Sequence, residues 1–120
     1  MSRPDLAVGL GVRPGTDADR IRAALREVLG DNVIACLATI DRRAAEPGLH
    51  AAAQALGVPV RSYTAAELAG VRVPNPSART ASALGTASVA EASALLAGRG
   101  PLLIAKTTIN GVVIAATAAR

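Results

Sequence analysis

Three glycines, an arginine and a threonine fall within the segment Gly9-Leu10-Gly11-Val12-Arg13-Pro14-Gly15-Thr16. A glycine-rich turn between a strand and a helix aims backbone N–H groups and the positive helix end at one point, which suits an anionic group. Gly11, Gly15 and Thr16 offer close approach and donors. Arg13 adds a planar guanidinium that grips carboxylate or phosphate through two parallel hydrogen bonds. As a dinucleotide fingerprint the spacing is off, G-x-G-x-x-x-G, and Pro14 is foreign to that turn. A small nucleotide-binding α/β domain, with Asp41 toward a ribose, is therefore the lesser reading. A Walker loop is excluded for want of its lysine. A tight turn with no ligand is the plain alternative.

Asp41 and Glu46 could work as a carboxylate pair in acid–base chemistry, or simply cap a loop and favour a helix N-terminus. His50, the only histidine, stands four residues after Glu46, a spacing that can share a helix face. A lone pair of this kind is usually a solvated contact, so no metal is expected. No Ser-His-Asp or Cys-His set can be assembled, and no cofactor is implied. Cys36 sits in the apolar run Val33-Ile34-Ala35-Cys36-Leu37 and reads as a buried, inert thiol. Lys106, the sole lysine, interrupts the run Leu102–Ala105. Its ammonium must reach the end of a sheet or be paired. An edge-strand lysine that discourages aggregation is the bland reading. If its strand lies beside the first, it can approach the Arg13–Thr16 loop and complete a cationic pocket.

These residues need a frame, and 120 residues are enough for one domain, 1–120, with one core. Tyr63 is the only aromatic, so Leu, Val, Ile and Ala must fill the interior. The net charge of +4 is carried almost wholly by arginine, apt for an anionic ligand and equally for GC-rich coding. Scattered basic residues without stacking aromatics speak against nucleic acid. Apolar runs fall far short of the ~20 residues that cross a bilayer, and nothing resembles a signal peptide. Together with the single cysteine, this leads us to expect a cytoplasmic protein that does not engage membranes.

The pattern predicts a strand over Leu6–Gly11, then a helix with Thr16 as N-cap, Ile21, Leu25, Val28 and Leu29 inward, and Gly30 at its end. A buried strand follows over Val33–Ile40, then a polar loop at Asp41-Arg42-Arg43. Glu46-Pro47 opens a helix that Gly57 ends. A third strand at Val58–Tyr63, near an edge because of Pro59, comes next. Thr64-Ala65-Ala66-Glu67 and Ser88-Val89-Ala90-Glu91 both match the capping box and predict helix starts. Between them, prolines at 74 and 76 exclude helix, with a helical stretch at Ala78–Leu84 and a break at Gly85. Asn110-Gly111 between two β-rich runs predicts a terminal hairpin. The sum is a three-layer α/β/α sandwich whose mixed sheet ends in an antiparallel hairpin. The first four residues are expected to be loose.

The opening segment resembles the G-[IL]-G-x-R-x-G-T start of the CobE / CbiG C-terminal family of cobalamin biosynthesis proteins. The resemblance runs on through Ala38-Thr39-Ile40-Asp41 with Glu46-Pro47-Gly48-Leu49, Val73-Pro74-Asn75-Pro76-Ser77, Gly85-Thr86 with Ser88-Val89-Ala90-Glu91-Ala92, and Ile104-Ala105-Lys106. Val12 stands where the family often has cysteine, Pro14 where a basic residue is common, and Arg43 where lysine is frequent. The resemblance implies a role in building the corrin ring, with Asn75, Ser77 and Lys106 joining Gly11, Arg13, Gly15 and Thr16 as ligand contacts. The implied ligand is a precorrin or other corrinoid, whose acetate and propionate arms suit arginine. Other corrin-pathway enzymes are further candidate partners. Longer members carry an N-terminal region associated with opening a lactone ring and releasing acetaldehyde. This chain has no room for it, so that step is not expected here. Two readings follow: an accessory or carrier domain that binds the intermediate, and an enzyme that changes the macrocycle in a hydrolase- or isomerase-type step through Asp41 or Glu46.

Overall fold

The computed structural model describes residues 5–71 and 86–119, side chains of 86–88 excepted. The two-proline segment with Asn75 and Ser77, the stretch expected to be helical at 78–84 and the first four residues lie outside the described residues.

Five strands form one sheet in the order β3-β2-β1-β5-β4. β1 (Leu6–Gly11) is central and pairs in parallel with β2 (Ile34–Ile40), which pairs in parallel with β3 (Val60–Tyr63). On its other side β1 pairs antiparallel with β5 (Val112–Ala118), and β5 with β4 (Arg99–Ile109). The mixed sheet, the edge position of β3 and the hairpin are as the sequence predicts. Asn110 (φ 51°) and Gly111 (φ 81°) supply the two left-handed residues that a two-residue hairpin turn requires.

Alternation of side chains splits the sheet into two faces. Leu6, Val8 and Leu10 of β1, with Val112, Ile114 and Ala116 of β5, meet α1 (Ala18–Leu29) and α3 (Pro47–Leu56) in the main core. The opposite face carries Val113 and Ala115 against Ala90 and Ala94 of α5 (Thr86–Ala97). Gly9 faces the same helix, and a Cβ there would overlap the Ala90 carbonyl oxygen. A smaller cluster joins Ile40, Val89 and Leu68, the last from α4 (Ala65–Ala69). The alanine-rich composition thus serves a purpose: small residues let α5 lie directly on the strands.

Several local expectations change. Asp17, not Thr16, caps α1, accepting from Arg20 N at 2.7 Å, while the Thr16 hydroxyl turns back to Arg13 O at 2.8 Å. Asp41–Arg43 is not a loop, because Asp41–Ala44 closes one helical turn, α2. The capping box at Thr64 and Glu67 forms with both reciprocal bonds. The one expected at Ser88 does not: α5 has already begun at Thr86, and Glu91 is buried with its carboxylate on Lys106 N. β5 lies between β4 and β1, so Lys106 is not on the strand beside the first.

Candidate functional site

β1 and β2 are parallel, so their carboxyl ends and the segments leaving them share one edge of the sheet. Ligands of open α/β folds gather at this edge. A cleft of about 60 Å³ opens there. Gly11 and Val12 line it from the end of β1, Thr39 and Ile40 from the end of β2, Val89 from α5, and Arg42 and Arg43 from α2.

Its walls are held by buried polar contacts. The Thr39 hydroxyl donates to Leu10 O at 2.8 Å and ties the ends of β1 and β2 together. Arg43 Nε donates to Val12 O at 3.3 Å, which brings the half-buried guanidinium to the cleft. Arg42, beside it, is exposed. Among the described residues no carboxylate pairs with either arginine. The buried Ser93 hydroxyl donates within α5 to Val89 O at 2.6 Å and lies 3.2 Å from Ala38 O of β2.

The glycine loop adjoins this cleft but is already engaged. Gly11 and Val12 are buried, whereas Arg13, Pro14 and Gly15 are exposed. Gly15, at φ 82°, donates its N–H to Glu46 Oε1 at 2.7 Å. Gly48 lets the start of α3 sit directly on the Thr16 carbonyl, where a Cβ would collide. The anion that this loop holds is therefore the chain's own Glu46 carboxylate. Glu46 is the N-cap residue of α3 but makes no side-chain capping bond within that helix. Asp41 is exposed at the start of α2. His50 donates its backbone N–H to Glu46 O, and among the described residues no group of three or more potential ligands could hold a metal. Cys36 is buried, as expected.

The structure thus brings Gly11 to the cleft, sets Arg13, Gly15 and Thr16 in the loop beside it, and leaves Lys106 two strands away on β4. Sequence reasoning missed Arg42 and Arg43 as site residues. The available signal was an arginine pair directly after a buried strand, at the edge where the glycine loop also emerges. Two roomier hollows lie elsewhere. One of about 140 Å³ is beside Arg22 and Arg26, and one of about 480 Å³ is beside His50 and Pro59. Neither is lined by the ends of β1 and β2.

Helices on both faces of a mixed sheet, with an arginine-flanked cleft at the carboxyl ends of its parallel strands, define a small three-layer α/β domain. The chain belongs to the family described as cobalamin synthesis G C-terminus, whose model matches residues 6–117. "Protein CobE" of a Sinorhizobium species is 36% identical over 121 residues, covering 94% of this chain and 79% of that protein. The crystal structure of CobE, a protein from the cobalamin (vitamin B12) biosynthetic pathway, superposes with a TM-score of 0.80 at 37% identity, over 97% of this chain and 93% of that one. Cobalamin biosynthesis protein chiG from Agrobacterium tumefaciens gives 0.68 at 29% identity, over 96% and 99%. The chain is accordingly a cobalamin biosynthesis protein with this family's fold. None of its described helices is long and apolar enough to cross a membrane.

Proposed function

We propose that this chain binds a precorrin or related corrinoid intermediate by its carboxylate arms, as an accessory or carrier domain for other enzymes of the pathway. One observation carries the reading: two arginines without carboxylate partners among the described residues stand over a cleft at the carboxyl ends of β1 and β2. About 60 Å³ has room for a few waters, hence for the end of one acetate or propionate arm and not for a macrocycle. The ring would lie outside, across the sheet edge, with Arg42 and Arg43 on its arms and exposed Arg13 reaching further ones. Each charge-assisted contact contributes about 1.5–3 kcal/mol, or roughly tenfold to a hundredfold in affinity. Glu46 is engaged by Gly15 N, which weakens its candidacy as a proton-transfer group.

The test is a visible-absorbance titration with cobyrinic acid, whose arms are free carboxylates, beside cobinamide, whose arms are amidated. Mass spectrometry of the recovered corrinoid follows. Tight binding of cobyrinic acid, weak binding of cobinamide and unchanged mass are expected. Equal affinity for the two would refute carboxylate recognition, and a changed mass would replace the carrier with an enzyme.

A further inference from the structure

Ile104 and Ile109 of β4 are five residues apart, yet both pack into the α1/α3 core. In an unbroken strand an odd separation puts side chains on opposite faces. The ladder shows how the parity changes. Ile104 pairs with Ala116 and Thr107 with Ile114, so Ala105 and Lys106 together stand opposite the single residue Ala115. This is a β-bulge, which inserts one residue, leaves an N–H outside the ladder and re-aims the side chains that follow. Without it Lys106 would take the same face as Ile104, in the apolar core. With it, Lys106 falls level with Ala115, which belongs to the α5 face.

The N–H released by the bulge is claimed by Glu91. This α5 side chain has no solvent exposure, and its Oε2 accepts from Lys106 N at 3.1 Å. A buried carboxylate is expensive, and many residues could pack between a helix and a sheet at lower cost. Val89, two residues earlier on the same helix, lines the arginine cleft. The helix covering the face to which the bulge turns Lys106 therefore also borders the cleft at the sheet edge.

We infer that Glu91 is a positioning residue: it holds the β4 bulge and thereby sets Lys106 on the α5 face as a fourth cation, after Arg42, Arg43 and Arg13, for the corrinoid's carboxylates. This rests on the binding reading above, but placement and binding are separable. Lys106 is the only lysine, so limited acylation with acetic anhydride, read at that residue by peptide mass, reports its environment directly. Cobyrinic acid is the binding probe.

Glu91→Ala is expected to change the acylation rate severalfold and to lower affinity by about tenfold, to the level of Lys106→Ala. The double variant should bind no more weakly than Lys106→Ala alone. Glu91→Gln keeps an oxygen acceptor for the Lys106 N–H and should restore both readings. A folded Glu91→Ala protein with unchanged acylation and affinity overturns the inference, as does a Glu91→Gln protein as impaired as Glu91→Ala. Should Glu91→Ala not fold, amide exchange decides: Lys106 N–H must be protected in the wild type and in Glu91→Gln, and rapid exchange in the wild type overturns the inference. If the wild type does not bind cobyrinic acid, the binding reading fails while acylation and exchange still judge the placement.

Discussion

Replacing Gly9 with alanine puts a methyl group where α5 already lies. A Cβ at this position would overlap the Ala90 carbonyl oxygen and stand 2.7 Å from Ser93 Oγ and 2.8 Å from Ala94 N. Comfortable contact is about 3.5 Å, so the helix must retreat from β1 by something on the order of 1 Å. Retreat strains the bond from Thr117 Oγ1 to Ala94 O at 2.8 Å. It also loosens Ala90 and Ala94 from Val113 and Ala115. Overpacking costs about 1–3 kcal/mol where side chains can yield. Here the obstruction is mostly backbone, and a buried hydrogen bond worth about 1 kcal/mol is put at risk as well. A loss of about 3–5 kcal/mol follows, a large share of the ~5–15 kcal/mol that holds a domain together. Urea unfolding followed by circular dichroism should show it, and a thermal melt should give a Tm lowered by roughly 10–25 °C. Gly70→Ala is the control. Gly70 has an ordinary helical φ of −78°, and a Cβ there meets nothing nearer than 3.6 Å, so the change should be neutral or slightly stabilising. A Gly9→Ala protein within about 1 kcal/mol of wild type, by the same measurement, would refute the close approach of α5 to β1.

Three further outcomes are expected. Removing both cleft arginines (Arg42→Ala with Arg43→Ala) should weaken cobyrinic acid binding by about a hundredfold or more in an absorbance titration while leaving cobinamide binding unchanged. Glu46→Ala frees the Gly15 N–H and removes a negative charge beside the site. It should cost about 1 kcal/mol of stability in urea and raise affinity for cobyrinic acid, whereas a fall in affinity would make Glu46 a ligand contact. Tyr63 should ionise above its ordinary value of 10.0, chiefly because burial disfavours the phenolate, with Cys36 and Glu67 adding to this and Arg61 opposing it. The folded state then holds the proton longer than the unfolded one, so stability is flat below pH ~10 and falls as pH rises toward the folded pKa. As the only aromatic residue, Tyr63 lets ultraviolet absorbance follow that titration directly, and a normal midpoint would refute its half-buried packing.

Local signals decided most of the frame. Leu6–Gly11 and the run ending at Ile40 read as buried strands because no charged residue interrupts them. Pro47 and Gly57 bound α3 through constraints that act within one residue, and Asn110-Gly111 imposed the hairpin through its left-handed dihedrals. Such preferences are written into each residue's own sterics and hold before any partner is present. The family was legible for the same reason, in short motifs kept in order. What failed were assignments in which a polar group had more than one partner within its chemistry. Thr16 had the chemistry of a cap, but Asp17 is one residue better placed, and the threonine hydroxyl settled on Arg13 O. Glu91 fitted a capping box but lies where β4 bulges, and a released ladder N–H drew its carboxylate. Glu46 looked like a helix-terminal acid, and the N–H it answers belongs to Gly15, 31 residues earlier. Arg42 and Arg43 came to line a cleft only when α2 was set against the end of β1. A sequence states what each polar group can bond, but only the tertiary structure decides which of several possible partners arrives within about 3 Å, because that distance is fixed by packing far along the chain.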